Sequence, residues 1–258
     1  PDGDKNDSYQ WNTSMMPDGT YFIYAVIDDG VNPPVIDYSD GPVNILHSIS
    51  DGLKVSVDNP MSFLEFGYTA AMKGDYAIVG DTRYSVYIYK KEGAVWLQQA
   101  RLIINDVLGP VDGEKSLSID GDFAIVGAEN AYNSSGLRSG GVFIFQRQGD
   151  TWVQHARLEA EEIGYFGYSV SISGDYAIIG AKTGDDNIYP YNTGAAYVFK
   201  REGTTWVEQA KLFADDGQSY DYFGCSVALS GDYAIIGARE DDNGVFYNSG
   251  SAYIFKRE

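Results

Sequence analysis

Residues 223–238 read Phe-Gly-Cys-Ser-Val-Ala-Leu-Ser-Gly-Asp-Tyr-Ala-Ile-Ile-Gly-Ala, and residues 166–181 repeat that string almost unchanged. Looser copies run from Phe66-Gly67 through Gly74-Asp-Tyr-Ala-Ile-Val-Gly80, and as Ser118-Ile-Asp-Gly-Asp-Phe-Ala-Ile-Val-Gly-Ala128. The Gly-Asp pairs thus stand at 74–75, 121–122, 174–175 and 231–232. A period of roughly 50 residues restricts the chain to a solenoid, a propeller or another repeat array.

One repeat predicts its own strands. Ser226-Val-Ala-Leu carries β-formers at alternate positions, Ser230-Gly-Asp232 supplies turn chemistry, and Tyr233-Ala-Ile-Ile is an apolar run too short for a helix, with Gly237 ending it. Ser251-Ala-Tyr-Ile-Phe is a third strand, with Ala252 and Ile254 on one face and Tyr253 and Phe255 on the other. A fourth strand is visible in the other repeats at 96–102, 152–158 and 206–212, each opening on Trp. Its Gln, Lys and Arg residues suit an outer edge, where charge discourages foreign pairing. Four antiparallel strands per repeat and no helical period give an all-β fold, a β-propeller of four-stranded blades. Four blades are read, at about 63–102, 115–158, 166–212 and 223–258, the last stopping before its Trp-bearing strand. Ring closure is left open.

The Phe-Gly start and Gly-Ala end resemble FG-GAP repeats, the units of the integrin α-subunit propeller, and the fuller pattern is similar to a bacterial branch found in large secreted and surface proteins. The resemblance spans residues 50–258 and is strongest in the last two repeats. It implies a bacterial, extracellular or cell-surface location and a platform that presents loops to partners. It does not carry over the integrin calcium loop. That loop lies in the first hairpin, where this chain has only Ser173-Gly-Asp175, and one Asp supplies too few oxygens for the ion.

Residues 1–49 are read apart, as a linker or the tail of an immunoglobulin-like or fibronectin type III-like β domain, with a strand over 21–27 and further strands near 35–38 and 42–46. Fewer than fifty residues cannot supply the seven strands of such a sandwich. Residues 43–49 have two placements open, either closing that domain or completing the last blade. The opening Pro-Asp-Gly-Asp-Lys-Asn reads as the interior of a longer polypeptide.

Charge narrows the partners. A formal net charge of -19 argues against nucleic acid and against anionic membrane surfaces. No stretch is long and apolar enough to cross a bilayer as a helix. Cys225 is the only cysteine, so no intrachain disulfide forms; it is expected as a small buried hydrophobe. His155 is expected on the surface. No catalytic triad, zinc pattern or phosphate loop is visible, so the chain is read as no enzyme.

Two groups of loop residues are candidates for binding. Asp185, Asp186 and Asn187, with Asp241, Asp242 and Asn243 at the matching place, offer hard oxygens to calcium, although the same residues also form solvated turns. Tyr189, Tyr191, Phe246 and Tyr247 would give a sugar an aromatic platform beside hydrogen-bonding groups, or would pack on neighbouring blades. The leading expectation is a non-catalytic adhesion or structural module of a larger surface protein, binding a protein partner or its own copies through blade edges. The alternative is a lectin-like glycan binder, with calcium as its cofactor.

Overall fold

The computed structural model describes residues 19–21, 24–27, 35–38, 43–45, 53–57, 64–106, 108–111, 113, 115–160, 164–184, 192–242 and 246–257. Two compact units divide the chain, residues 1–54 and 55–258. In the first, β1 (Gly19–Tyr21) pairs antiparallel with β4 (Val43–Ile45), and β2 (Tyr24–Ile27) with β3 (Val35–Tyr38). Residues 43–45 therefore belong to a sheet with β1, not to the last blade.

The second unit is a succession of antiparallel meanders, and no helix occurs among the described residues. Blade 1 is β5 (Thr69–Lys73), β6 (Tyr76–Gly80), β7 (Ser85–Glu92) and β8 (Val95–Ile103). A short pair, β9 (Asn105–Asp106) and β10 (Gly109–Pro110), leads to blade 2. Blade 2 is β11 (Ser116–Asp120), β12 (Phe123–Ala128), β13 (Gly141–Gln148) and β14 (Thr151–Leu158). Blade 3 is β15 (Phe166–Ser173), β16 (Tyr176–Ala181), β17 (Ala195–Glu202) and β18 (Thr205–Leu212). Blade 4 has three strands, β19 (Phe223–Ser230), β20 (Tyr233–Ala238) and β21 (Ser251–Lys256). Among the described residues no strand pairing joins blade 4 to blade 1. This is the β-propeller architecture, with no ring closed among the described residues.

The Gly-Asp pairs make the first hairpins. Gly74, Gly121, Gly174 and Gly231 hold φ between 56 and 58°, a left-handed value that a side chain resists and a two-residue hairpin needs. The Asp does more than turn the chain. The Asp122, Asp175 and Asp232 carboxylates pair with Arg147, Arg201 and Arg257 near the end of the third strand. Each guanidinium then lies over an aromatic ring of the preceding blade, Tyr76 at 5.1 Å, Phe123 at 4.7 Å and Tyr176 at 4.1 Å.

Strand alternation gives every blade two apolar faces. In blade 2, Leu117, Ile119, Ala124, Val126, Phe143 and Phe145 point back to Ile78, Val86 and Ile88 of blade 1. Phe123, Ile125, Val142 and Ile144 point forward to Val170, Ile172, Ile179 and Phe199 of blade 3. Blade 3 meets blade 4 in the same manner, with Ile178 and Ala196 against Phe223, Ala234 and Ile236. Because the second and third strands are covered on both faces, they are apolar nearly throughout. The rear face of blade 1, with Val79, Tyr87 and Tyr89, is covered by Val55 and Val57, and the Tyr89 hydroxyl donates to the Ser56 carbonyl at 3.2 Å.

Candidate binding surface at the open blade

The joint between two blades is built from the two ends of the repeated motif. The Phe166 and Phe223 rings are fully buried. Their amides donate to the Ser139 and Thr193 carbonyls of the preceding blade, both at 2.9 Å. The following glycine then presses its carbonyl against the Gly-Ala of that blade. A Cβ at Gly127 would stand 2.1 Å from the Gly167 oxygen, and one at Gly180 would stand 2.0 Å from the Gly224 oxygen. Serine hydroxyls fasten the approach. Ser116 and Ser169 donate to Gly167 and Gly224, each at 2.8 Å. Ser118 accepts the Ile172 amide at 3.1 Å, and Ser171 accepts the Leu229 amide at 3.0 Å. Sequence reasoning missed these serines. Their signal is the Ser-x-Ser alternation on the first strands of blades 2 and 3, but their partners lie more than fifty residues away.

The joint between blades 1 and 2 lacks Phe-Gly and is made otherwise. The buried Lys115 ammonium donates to the main-chain oxygens of Arg83, of Gly113 at 2.9 Å and of Asp81 at 3.4 Å. The Asp81 carboxylate is engaged in turn by the amides of Arg83 and Ser85, at 2.9 and 3.0 Å.

Blade 4 keeps the forward half of a joint with nothing described upon it. Gly237, Ala238, Gly250 and Ser251, matching Gly180, Ala181, Gly194 and Ala195, line an open depression with Cys225 and Ser226. Beside it Tyr233 is 52% exposed, Ile235 45% and Ile254 70%, whereas Ile178, the counterpart of Ile235, is fully buried under blade 4. Gly237 does not end its strand as the sequence implied. It lies inside β20, at the place where Gly180 leaves room for the Gly224 carbonyl in blade 3. Cys225 is half-buried rather than buried, with its thiol 3.4 Å from the Gly237 carbonyl at the rim of the depression. His155 is half-buried too, since its ring packs edge-on against Phe123 at 5.6 Å instead of standing in solvent.

The acidic loop of blade 4 lies at the same end of its strands. Asp241, nearly buried, receives the Ser251 hydroxyl, and Asp242 receives the Asn248 amide at 2.8 Å. Asp221, 2% exposed, accepts the Gln218 amide at 2.5 Å. Burial first, and then the neighbouring Asp241 and Asp242, push the Asp221 carboxyl up to about 6. The Tyr253 phenol is pushed above its usual range by burial and by its 2.8 Å hydrogen bond to Asp216. Phe246 and Tyr247 stand out from the loop, 69% and 87% exposed. Asp185, Asp186, Asn187, Tyr189, Tyr191 and Asn243 lie outside the described residues. Among the described residues no group of three or more His, Cys, Asp or Glu side chains is gathered to hold a metal ion.

Asp221 makes stability depend on pH in a defined direction. Its folded value of about 6 lies above the ordinary 3.8, so between those values the folded chain holds a proton that the unfolded chain releases. Stability therefore falls as pH rises through this window. Asp221→Asn is expected to raise the melting temperature at pH 7.5, by a gain on the order of 2 kcal/mol, and to change it little at pH 4. Thermal melts at both pH values check this; an equal shift at the two would exclude Asp221 as the source.

With this geometry in place, the chain was compared with known proteins. The family model described as FG-GAP repeat matches residues 152–199 and 206–255. Both segments are similar to FG-GAP repeats. Each matched segment begins at the Trp-bearing strand of one blade and ends in the third strand of the next. FG-GAP repeats build β-propellers that commonly serve as non-catalytic binding modules. No curated protein matches the chain significantly. Among solved structures, one similar chain belongs to a Saccharomyces cerevisiae complex of a Dbp5 variant bound to Nup159, a Gle1 variant, IP6 and ADP; it is 13% identical, with a TM-score of 0.40 over 73% of this chain and 44% of that one. Another is the N-terminal domain of Nup159, 12% identical, with a TM-score of 0.39 over 74% of this chain and 44% of that one. The chain thus spans less than half the length of these two solved chains.

Proposed function

We propose that this chain is a non-catalytic adhesion or structural module of a larger extracellular, bacterial surface protein, and that it binds a protein partner or another copy through the forward face of blade 4. The observation carrying this reading is the exposure of Tyr233, Ile235 and Ile254; the counterparts of the two isoleucines, Ile125 and Ile144 in blade 2 and Ile178 and Val198 in blade 3, pack against the next blade. Contiguous apolar surface of this kind marks interaction sites. The net charge of -19 disfavours nucleic acid and anionic membranes as the partner, and the resemblance to surface-protein repeats supports the location. Sedimentation of the 258-residue chain over a concentration series tests the self-binding arm. We expect association in the native chain and its loss in Ile235→Asp/Ile254→Asp, with little change in melting temperature because both side chains are exposed. Equal masses at every concentration would remove self-association through this face.

A lectin-like function is the second reading, favoured by the exposed Phe246 and Tyr247 beside Asp242. Tyr189 and Tyr191 would extend that platform, and calcium would enter through Asp241, Asp242 and Asn243 or through Asp185, Asp186 and Asn187. Glycan-array signal lost in Tyr247→Ala and abolished by EDTA would support this reading over the first.

A further inference from the structure

The rear face of blade 1 is built to the pattern of the later blades but has a different cover. Phe66 meets Tyr87 and Tyr89 edge-on at 5.4 and 6.2 Å, as Phe166 meets Tyr197 and Phe199 at 5.3 and 6.3 Å. On blade 3 this aromatic face is closed by Phe123, Ile125, Val142 and Ile144 of blade 2. On blade 1 it is closed by residues 55–57, which lie outside every strand. Alternation along this short segment leaves Val55 and Val57 half-buried while Lys54 and Ser56 are exposed. The two valines pack on Val79, Tyr87 and Tyr89, and the Ser56 carbonyl accepts the Tyr89 hydroxyl at 3.2 Å. Tyr87 and Tyr89 are thereby 4% and 3% exposed, no more than Tyr197 and Phe199 under a whole blade, at 6% each.

The groups with which later blades reach back are replaced in blade 1. Register puts Lys91 where Arg147, Arg201 and Arg257 stand. A guanidinium can pair with the hairpin Asp and stack on a ring of the preceding blade, whereas an ammonium on a flexible stem is a poor substitute for that double role; Lys91 is exposed. On the first strand, Leu117 and Ile119 of blade 2 and Val170 and Ile172 of blade 3 are buried against the blade before. Their counterparts in blade 1 are Ala70, which is exposed, and Met72, which is 66% exposed. The indoles diverge likewise. Trp152 packs edge-on against Tyr76 at 5.9 Å and Trp206 against Phe123 at 6.1 Å, each in the preceding blade. Trp96 instead packs on the cluster that Val55 and Val57 cover.

We propose that residues 55–57 are a terminal cap of the repeat array, sealing the rear face of blade 1 so that neither another blade nor another copy of this chain packs upon it. A repeat whose inner face lacks a neighbour needs such a cover, because each unit of an array buries its apolar face only against the next. The cap lies at the start of the second compact unit, residues 55–258, and therefore gives the array a fixed direction. Blades pack forward from blade 1 and not behind it. The substitutions at Ala70, Met72 and Lys91 agree with this, since side chains that reach toward a preceding blade serve nothing where the neighbour is a short extended segment.

The test uses the 258-residue chain and its Val55→Asp/Val57→Asp variant, with hydroxyl-radical labelling of tyrosines and hydrogen exchange as readouts. Tyr87 and Tyr89 are expected to take little label in the native chain at every concentration and much more in the variant. The β7 amides are expected to exchange at least about tenfold faster in the variant, while those of β15, β16 and β17 are unchanged. Tyr89→Phe, which deletes only the hydroxyl that reaches Ser56, is expected to speed β7 exchange in the same direction but less. Leu53→Asp, at an exposed position just before the segment, is expected to leave both readouts as in the native chain. Unchanged labelling and exchange in the double variant, or exchange quickened equally in all blades, would overturn the proposal. So would protection of Tyr87 and Tyr89 that appears only as the native chain is concentrated, because another copy would then be the cover.

Discussion

Gly180→Ala is expected to destabilise the chain by about 3 kcal/mol, although it adds a single methyl group. The new Cβ would stand 2.0 Å from the Gly224 oxygen and 2.3 Å from Ser169 Oγ. The serine can rotate away, but the oxygen belongs to main chain fixed by Phe223 and by the hydrogen bond from Ser169. Relief requires moving blade 4 as a body, which opens the apolar joint behind it. Gly237→Ala supplies the control. It has the same place in its strand, and its Cβ would meet side-chain atoms only, Ser226 Oγ at 2.5 Å and Cys225 Sγ at 3.7 Å. We expect it to cost less than about 1 kcal/mol. Urea unfolding of the two variants decides the matter. Equal losses would mean that the glycine serves its own strand and not the neighbouring blade.

Phe223→Ala is expected to cost about 3–5 kcal/mol and to loosen blade 4 selectively. The ring is fully buried and meets Tyr253 and Phe255 edge-on, with centroids 5.3 and 6.2 Å away. Its loss leaves a cavity at the point where Phe223 and Gly194 bridge the two blades. Neighbour interfaces carry much of the stability of a repeat array, so blade 4 should lose hydrogen-exchange protection before blades 2 and 3. Phe66→Ala is the comparison. Phe66 meets Tyr87 and Tyr89 in the same geometry, at 5.4 and 6.2 Å, but is only half-buried, and its removal should cost less. Uniform loss of protection throughout the unit would show that the joint does not set the order of opening.

What could be read from the sequence was local. Tyr233-Ala-Ile-Ile and Ser251-Ala-Tyr-Ile-Phe showed their strands and faces because alternation is a short-range pattern, and Gly231-Asp232 showed its hairpin because turn geometry involves only neighbouring residues. The reason for the Phe-Gly and Gly-Ala ends was hidden, since Gly180 meets its partner 44 residues on, at Gly224. The Ser116, Ser169, Arg147 and Arg201 contacts were hidden for the same cause. The acidic residues have partners that the sequence does not show. Asp241 accepts from Ser251, at the start of β21, and Asp242 accepts from the Asn248 amide. Phe246 and Tyr247 stand exposed; Tyr189 and Tyr191 lie outside the described residues.

The phase of the matched segments has a consequence for how such a chain changes length. Each segment takes the Trp-bearing strand of one blade and the first three strands of the next, and its Phe-Gly meets a Gly-Ala that lies before the segment. Duplicating or deleting one segment in the gene would keep every Phe-Gly facing a Gly-Ala and every indole facing its aromatic. No surface would have to be invented at the splice. Lineages can thus lengthen or shorten the array one unit at a time while the packing rules stay fixed.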